Sequence, residues 1–126
     1  MRETERESAT LSAETTPSLD LVFNLLANER RRYALYFLYE QQDGVATVEE
    51  VTDNVAAFEN RSTGPEPQSD LEEQKRQIQT ELRHVHLPKL EDAGILEHDQ
   101  RSETVRYWTQ PTLEEWLEHA YHKELT

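Results

Sequence analysis

The sequence predicts a mainly α-helical domain with one small β hairpin and a closing amphipathic helix, and three observations carry that prediction. Apolar residues recur at helical spacing behind capping residues along most of the chain. Two short strand-like runs, 95–98 (ILEH) and 104–108 (TVRYW), flank a polar tip at 99–103. The 126 residues contain no cysteine, so hydrophobic packing without disulfides or thiolate zinc must hold a single core of this length.

The elements follow in order. Residues 2–16 (RETERESATLSAETT) carry one large apolar side chain, Leu11, too little burial to offset the entropy of ordering, so 1–17 is expected to be a disordered acidic tail. Ser18 is placed to cap a first helix in which Leu19, Val22, Phe23 and Leu26 share a stripe. Asn28 caps a second, NERRRYALYFLYEQQ, whose section 33–39 is apolar or aromatic on every side and is therefore expected at the centre of the domain. Asp43 and Gly44 signal a turn, Val45 and Ala46 suffice for a very short strand, and Thr47 with Glu50 forms a capping box for a third helix bearing Val48, Val51, Val55 and Phe58. Residues 59–69 (ENRSTGPEPQS) read as a solvent loop.

Ser69 and Glu72 form a second capping box, predicting helix four over about 70–87 with Leu71, Ile78, Leu82 and Val85 on its buried face. Pro88 disfavours helical geometry at Leu87, so that helix is expected to end or kink there, ahead of a short helical turn over 88–93 that Gly94 terminates. After the hairpin, Thr112 and Glu115 form a third capping box and open a helix with Leu113, Trp116, Leu117, Ala120 and Tyr121 along one stripe. A helix pair running straight into a hairpin is the layout of a winged helix-turn-helix, here spanning 18–110, with 111–126 as a C-terminal helix for packing or dimerisation.

LLANERRRYALYFL resembles the second helix of arsenic-repressor-type winged helices, with Arg31 at the arginine of their Leu-Ala-polar-polar-polar-Arg pattern. LPKLEDAGILEHDQRSETVRYW is similar to the end of the recognition helix plus wing in the same superfamily, through Leu87, Leu90, Ala93, Gly94 and Ile95. The acidic composition, the ERRR helix and the LPKLEDAG segment also resemble a group of haloarchaeal winged-helix domains, over residues 19 to about 108. These resemblances imply a winged-helix fold, and a fold alone assigns no ligand. Two features depart from the superfamily: the long loop before helix four, and Pro88 inside what is usually continuous helix.

Twenty-six acidic residues against 13 basic ones give a net charge of −13, a self-repulsion that destabilises a small domain in dilute buffer. At about 1 M salt the Debye length falls to about 3 Å and that cost largely disappears. Ten of the cations are arginine and 20 of the acids are glutamate, a balance that fits salt adaptation; an acidic protein with a partner-binding face is the alternative. No run approaches the roughly 18 apolar residues of a membrane span, and the N-terminus has no apolar stretch of signal-peptide type, so a cytoplasmic protein with no membrane partner is expected.

On a helical wheel Arg76, Thr80, Arg83 and His84 project opposite the apolar face of helix four. Arginine can bridge a guanine edge or grip phosphate, and threonine can contact a thymine methyl, so this row is the candidate for double-stranded DNA, joined by Lys89 and by Arg101 and Arg106 on the wing. Glu72, Glu73 and Glu81 oppose phosphate there, and solvation or ion pairing, of Arg101 and Arg106 with Asp99 and Glu103 for instance, is the competing account. A DNA-reading role fails if Arg76 and Arg83 are locked against the chain's own carboxylates with no positive potential nearby, and the interaction module then remains.

Arg30, Arg31 and Arg32 open the second helix at its positive dipole end, which demands compensation by a phosphate or by acids such as Glu29, Asp20 or those of the C-terminal helix. His84, His86, His98, His119 and His122 raise the question of a metal, but the sensor cysteines are absent and no metal or other cofactor is expected. No Gly-rich phosphate loop or nucleophile with a spaced base is present, so no enzyme is expected. The predicted function is a homodimeric transcription regulator, dimerising through Leu113, Trp116, Leu117 and Tyr121; the alternative is a protein-interaction module without DNA binding.

Overall fold

The computed structural model describes residues 18–61 and 67–125; the tail expected at 1–17 lies outside them. Helix α1 (Leu19–Leu26) starts where Ser18 Oγ accepts the Leu21 N–H at 3.1 Å, and α2 (Glu29–Glu40) where Asn28 Oδ1 accepts the Arg31 N–H at 3.0 Å. Helix α2 buries Tyr33, Ala34, Leu35, Tyr36 and Leu38 around most of its circumference and packs against α1, α3 (Val48–Glu59) and the C-terminal helix α6 (Pro111–Leu125). That all-round burial is the central position its composition predicts. At the start of α3 Thr47 and Glu50 close the expected capping box, with reciprocal bonds of 3.0 and 2.9 Å.

The wing is three-stranded. The hairpin β2 (Leu96–Asp99) and β3 (Thr104–Tyr107) is extended by β1 (Val45–Thr47), giving the antiparallel order β1-β3-β2 with Ala46 opposite Val105 and His98 opposite Val105 on the other side. Ala46, Leu96, Val105 and Tyr107 alternate onto the core side. Gly44 makes this junction: at φ +73° its carbonyl accepts the Tyr107 N–H at 2.8 Å, and a Cβ there would stand 2.7 Å from the Tyr107 carbonyl oxygen.

Helix four is built differently from its expected form. Helix α4 (Gln68–Glu81) begins directly after Pro67, with no side-chain cap, so Ser69 lies inside the first turn and the capping box expected there does not form. Nor does the helix stop at Pro88. A π-helical turn, Leu82–His86, closed by the Leu87 N–H donating to the Leu82 carbonyl, joins α4 to α5 (Leu87–Asp92). In an unbroken α-helix the Pro88 ring would collide with the carbonyl four residues earlier; winding one extra residue into the preceding turn relieves this. The third capping box is displaced in the same way as the second. Helix α6 starts at Pro111, placing Thr112 in its first turn, and the capping carboxylate is Glu114, which accepts the Gln110 N–H at 3.0 Å and the Tyr107 hydroxyl at 2.6 Å.

Together these elements form a winged helix, mainly helical with a small antiparallel sheet and a C-terminal helix. Its single core runs from Val22 and Leu25 through Leu35, Leu38, Val51 and Val55 to Ile78, Leu82, Leu90, Leu113 and Leu117. Each such fully buried aliphatic contributes about 2 kcal/mol.

Candidate nucleic-acid interface

The π-helical turn decides which side chains of helix four face outward. Up to Leu82 the wheel holds: Ile78 and Leu82 are buried, while Arg76, Thr80, Arg83 and His84 are exposed together. Beyond it the extra residue advances the inward position by one, so His86 (2 % exposed) takes the core site assigned to Val85, and Val85 turns out to 50 % exposure. The buried line then continues through Leu87 and Leu90.

The two arginines of this row are not clear of carboxylates. Arg76 pairs with Glu73 one turn earlier, and Arg83 reaches across to Glu103 on the wing. Both pairs stand in solvent, at side-chain exposures of 67 and 57 % and of 44 and 36 %, so each contributes less than about 1 kcal/mol and screening by salt reduces that further. They are weak contacts that a stronger anion can exchange. Around Arg76 the surroundings are acidic: Glu49, Asp53 and Glu72 share a cleft with it, and Lys75 is held by Asp53 at 3.2 Å.

The wing differs. Asp99 Oδ1 accepts the backbone N–H groups of Arg101 (3.0 Å) and Ser102 (3.4 Å), so the carboxylate shapes the turn, and a backbone contact stands where the competing account put an Arg101–Asp99 ion pair. The Arg106 guanidinium lies over the Trp108 ring, 5.4 Å from its centroid, instead of pairing with Glu103. Among the described residues neither Arg101, Arg106 nor the partly exposed Lys89 forms an ion pair. Glu103 closes the tip in the left-handed region, φ 55°, its carbonyl accepting the Val48 N–H at 2.9 Å and thereby tying the wing to the start of α3.

Behind the row a buried polar chain fixes the helix. Arg31, 6 % exposed, donates to the carbonyls of Leu25 (2.8 Å) and Asn24 (2.9 Å), neutralising the negative C-terminal end of α1, and lies 3.3 Å from His86 Nδ1. His86 Nε2 in turn is 3.3 Å from Glu81. With the Arg31 donor on Nδ1, the neutral ring carries its proton on Nε2 and gives it to Glu81. Burial lowers the His86 pKa, the Glu81 contact opposes that, and the Arg31 charge adds to it. Arg30 bridges Glu59 (2.5 Å) and Glu81 (2.9 Å), and Arg32 holds Glu124 of α6 (2.6 Å) and the Leu26 carbonyl (2.6 Å). The compensation that the ERRR run demands is thus supplied by carboxylates and carbonyls of the chain itself. Glu124 is one of the C-terminal acids the sequence points to; Glu59, Glu81, His86 and the α1 carbonyls carry no local sequence signal for this role.

The expected dimer stripe is largely internal. Leu113 and Leu117 are fully buried in the chain's own core and present no surface, because α6 lies flat against α2. Tyr121 is partly buried with its ring 5.2 Å from that of Tyr36. What remains outside is a groove of about 450 Å³ in which Trp116 meets Phe23 edge-on at 5.2 Å, rimmed by Arg32, His119 and Lys123; Leu19 and Phe23 beside it are half exposed. Among the described residues no three His, Cys, Asp or Glu side chains gather in an arrangement suited to a metal ion, and no helix is long and apolar enough to cross a membrane.

No curated protein and no solved structure matches the chain. Residues 23–106, from α1 to the last strand of the wing, do match a family, and over that span the chain belongs to the domain of unknown function DUF7344.

Proposed function

We propose that this chain is a transcription regulator that lays helix four, about 70–87, in the major groove of double-stranded DNA and sets the wing, about 95–108, against the backbone. The observation that carries this reading is that, among the described residues, Arg101 and Arg106 on the wing and Lys89 on α5 form no ion pair, while Thr80, Arg83 and His84 are exposed on one face of helix four. Arginine and lysine at a hairpin suit phosphate, and the helix offers the three or four side chains that base reading needs. The likeness to arsenic-repressor-type winged helices fits the same role, as does a homodimer formed through Leu19, Phe23 and Trp116 at the exposed edge of α1 and α6. At −13 net charge the protein binds DNA by shape and base contact more than by counterion release, so affinity falls less steeply with salt than for a basic repressor. Chromatin immunoprecipitation of the tagged chain in its host tests the role: discrete promoter peaks are expected, and a profile indistinguishable from an untagged control contradicts it.

A protein-interaction module that does not bind DNA is the second reading. It is favoured by the pairing of Arg76 and Arg83 with Glu73 and Glu103 and by the acidic cleft beside Arg76. Under it, the same immunoprecipitation yields protein partners and no promoter enrichment.

A further inference from the structure

We propose that the cleft between the π-helical turn of helix four and the wing is a binding site for a phosphodiester of the DNA backbone, and that the chain's own Glu103 carboxylate occupies it in the free protein. Arg83, His84, His98, Gln100 and Glu103 line a cleft of about 350 Å³. One carboxylate oxygen of Glu103 pairs with the Arg83 guanidinium, and the other lies 3.6 Å from His98 Nε2. The His98 side chain is only 5 % exposed, and among the described residues Nε2 has no hydrogen-bond partner, an orphaned polar atom facing this cleft. A buried group of that kind is costly unless something bonds it. A carboxylate just beyond hydrogen-bonding range leaves it unsatisfied. A phosphodiester has non-bridging oxygens set wider apart, and can take Arg83 with one and His98 with another, while the Gln100 amide stands at the mouth.

Exchange is inexpensive. The Arg83–Glu103 pair is exposed and weak, and Glu103 is anchored by its backbone, through the Val48 N–H and the pairing of Thr104 with Thr47, so only its side-chain torsions need turn. Glu103 thus acts as an internal competitor that lowers affinity for any DNA and, with Arg83 committed to the backbone, leaves discrimination to Arg76, Thr80 and His84 of helix four. This inference rests on the DNA-binding reading, and its test separates the two.

The experiment measures binding of a labelled duplex by the wild type, Glu103→Gln, Arg83→Gln and the double variant, over a potassium chloride series. Glu103→Gln keeps the shape and removes the charge. It is expected to tighten binding about five-fold and to steepen the logarithmic salt slope by up to about 0.9, one more phosphate neutralised. Arg83→Gln is expected to abolish that gain. A duplex titration followed through the His98 Nε2 resonance provides a readout that depends on no variant, and a shift on binding is expected. If the wild type binds and Glu103→Gln changes neither affinity nor slope, the internal-competitor inference is overturned while the regulator reading stands. If neither protein binds any duplex, both fall. Displacement of duplex by equimolar inorganic phosphate overturns the assignment to the DNA backbone, leaving a site for free phosphate.

Discussion

Two sets of arginines divide this molecule. Arg30, Arg31 and Arg32 at the start of α2 are committed: each donates to two or more partners of the chain, and together they join α1, α3, helix four and α6. Arg76, Arg83, Arg101 and Arg106 are exposed and make at most one weak ion pair each. Both sets are guanidinium groups in the same anionic body, so type and net charge do not tell them apart; burial and the number of fixed acceptors do. The first set is structural, and the second is available for recognition.

Removing a committed arginine sharpens that division most. Arg31→Met is expected to cost about 3 kcal/mol in a chemical denaturation experiment in concentrated potassium chloride, because two helix-end carbonyls and His86 Nδ1 lose their donor in a buried site. A loss under about 1 kcal/mol would place Arg31 with the exposed set. Glu124→Gln, which breaks the pair to Arg32 and weakens the acceptor for the Tyr36 hydroxyl, is expected to cost about 1–2 kcal/mol near neutral pH. The Arg32 hydrogen bond holds the Glu124 carboxyl below its ordinary value of 4.5, so its contribution is complete above that pH and is lost as pH falls through the lower, folded-state value. The Gln variant should lack that part of the acid limb.

His86 titrates in a different window. Burial keeps the ring neutral in the folded chain, whereas the unfolded chain takes up a proton as pH falls below about 6.5. Stability should therefore decline on acidification from that point, by at most about 1.4 kcal/mol per pH unit, and His86→Gln should flatten the decline. The smallest effects belong to the exposed set: Arg76→Ala and Arg83→Ala should each change stability by no more than about 0.5 kcal/mol. A larger loss for either would mean that its ion pair is structural.

Local signals were legible where the chain itself enforces them. Ser18, Asn28 and Thr47 cap their helices because each keeps an extended backbone from which its side-chain oxygen accepts the amide three residues on. Ser69 and Thr112 carry the same pattern and fail, since with Pro67 and Pro111 ahead of them the helices start two residues early. Pro88 announced a disturbance, yet its form, a π-helical turn that exchanges Val85 for His86, depends on how the helix upstream yields while its ends stay packed. The exposed row of helix four could be drawn on a wheel. Its partners could not, because Arg83 and Glu103 lie 20 residues apart and meet only once the wing folds back on the helix. The three-stranded wing was partly hidden for the same reason: three residues, Val45–Thr47, become a strand only against β3.

The most direct measurement is anisotropy of a labelled promoter duplex, taken from an immunoprecipitation peak, titrated with the wild type and with Arg83→Ala/Arg106→Ala in potassium chloride that keeps both folded. Saturable binding by the wild type, weakened at least about ten-fold in the double variant at unchanged stability, is the expected result. Equal affinity of the two proteins, or no binding by either, would contradict the assignment of these exposed arginines to DNA.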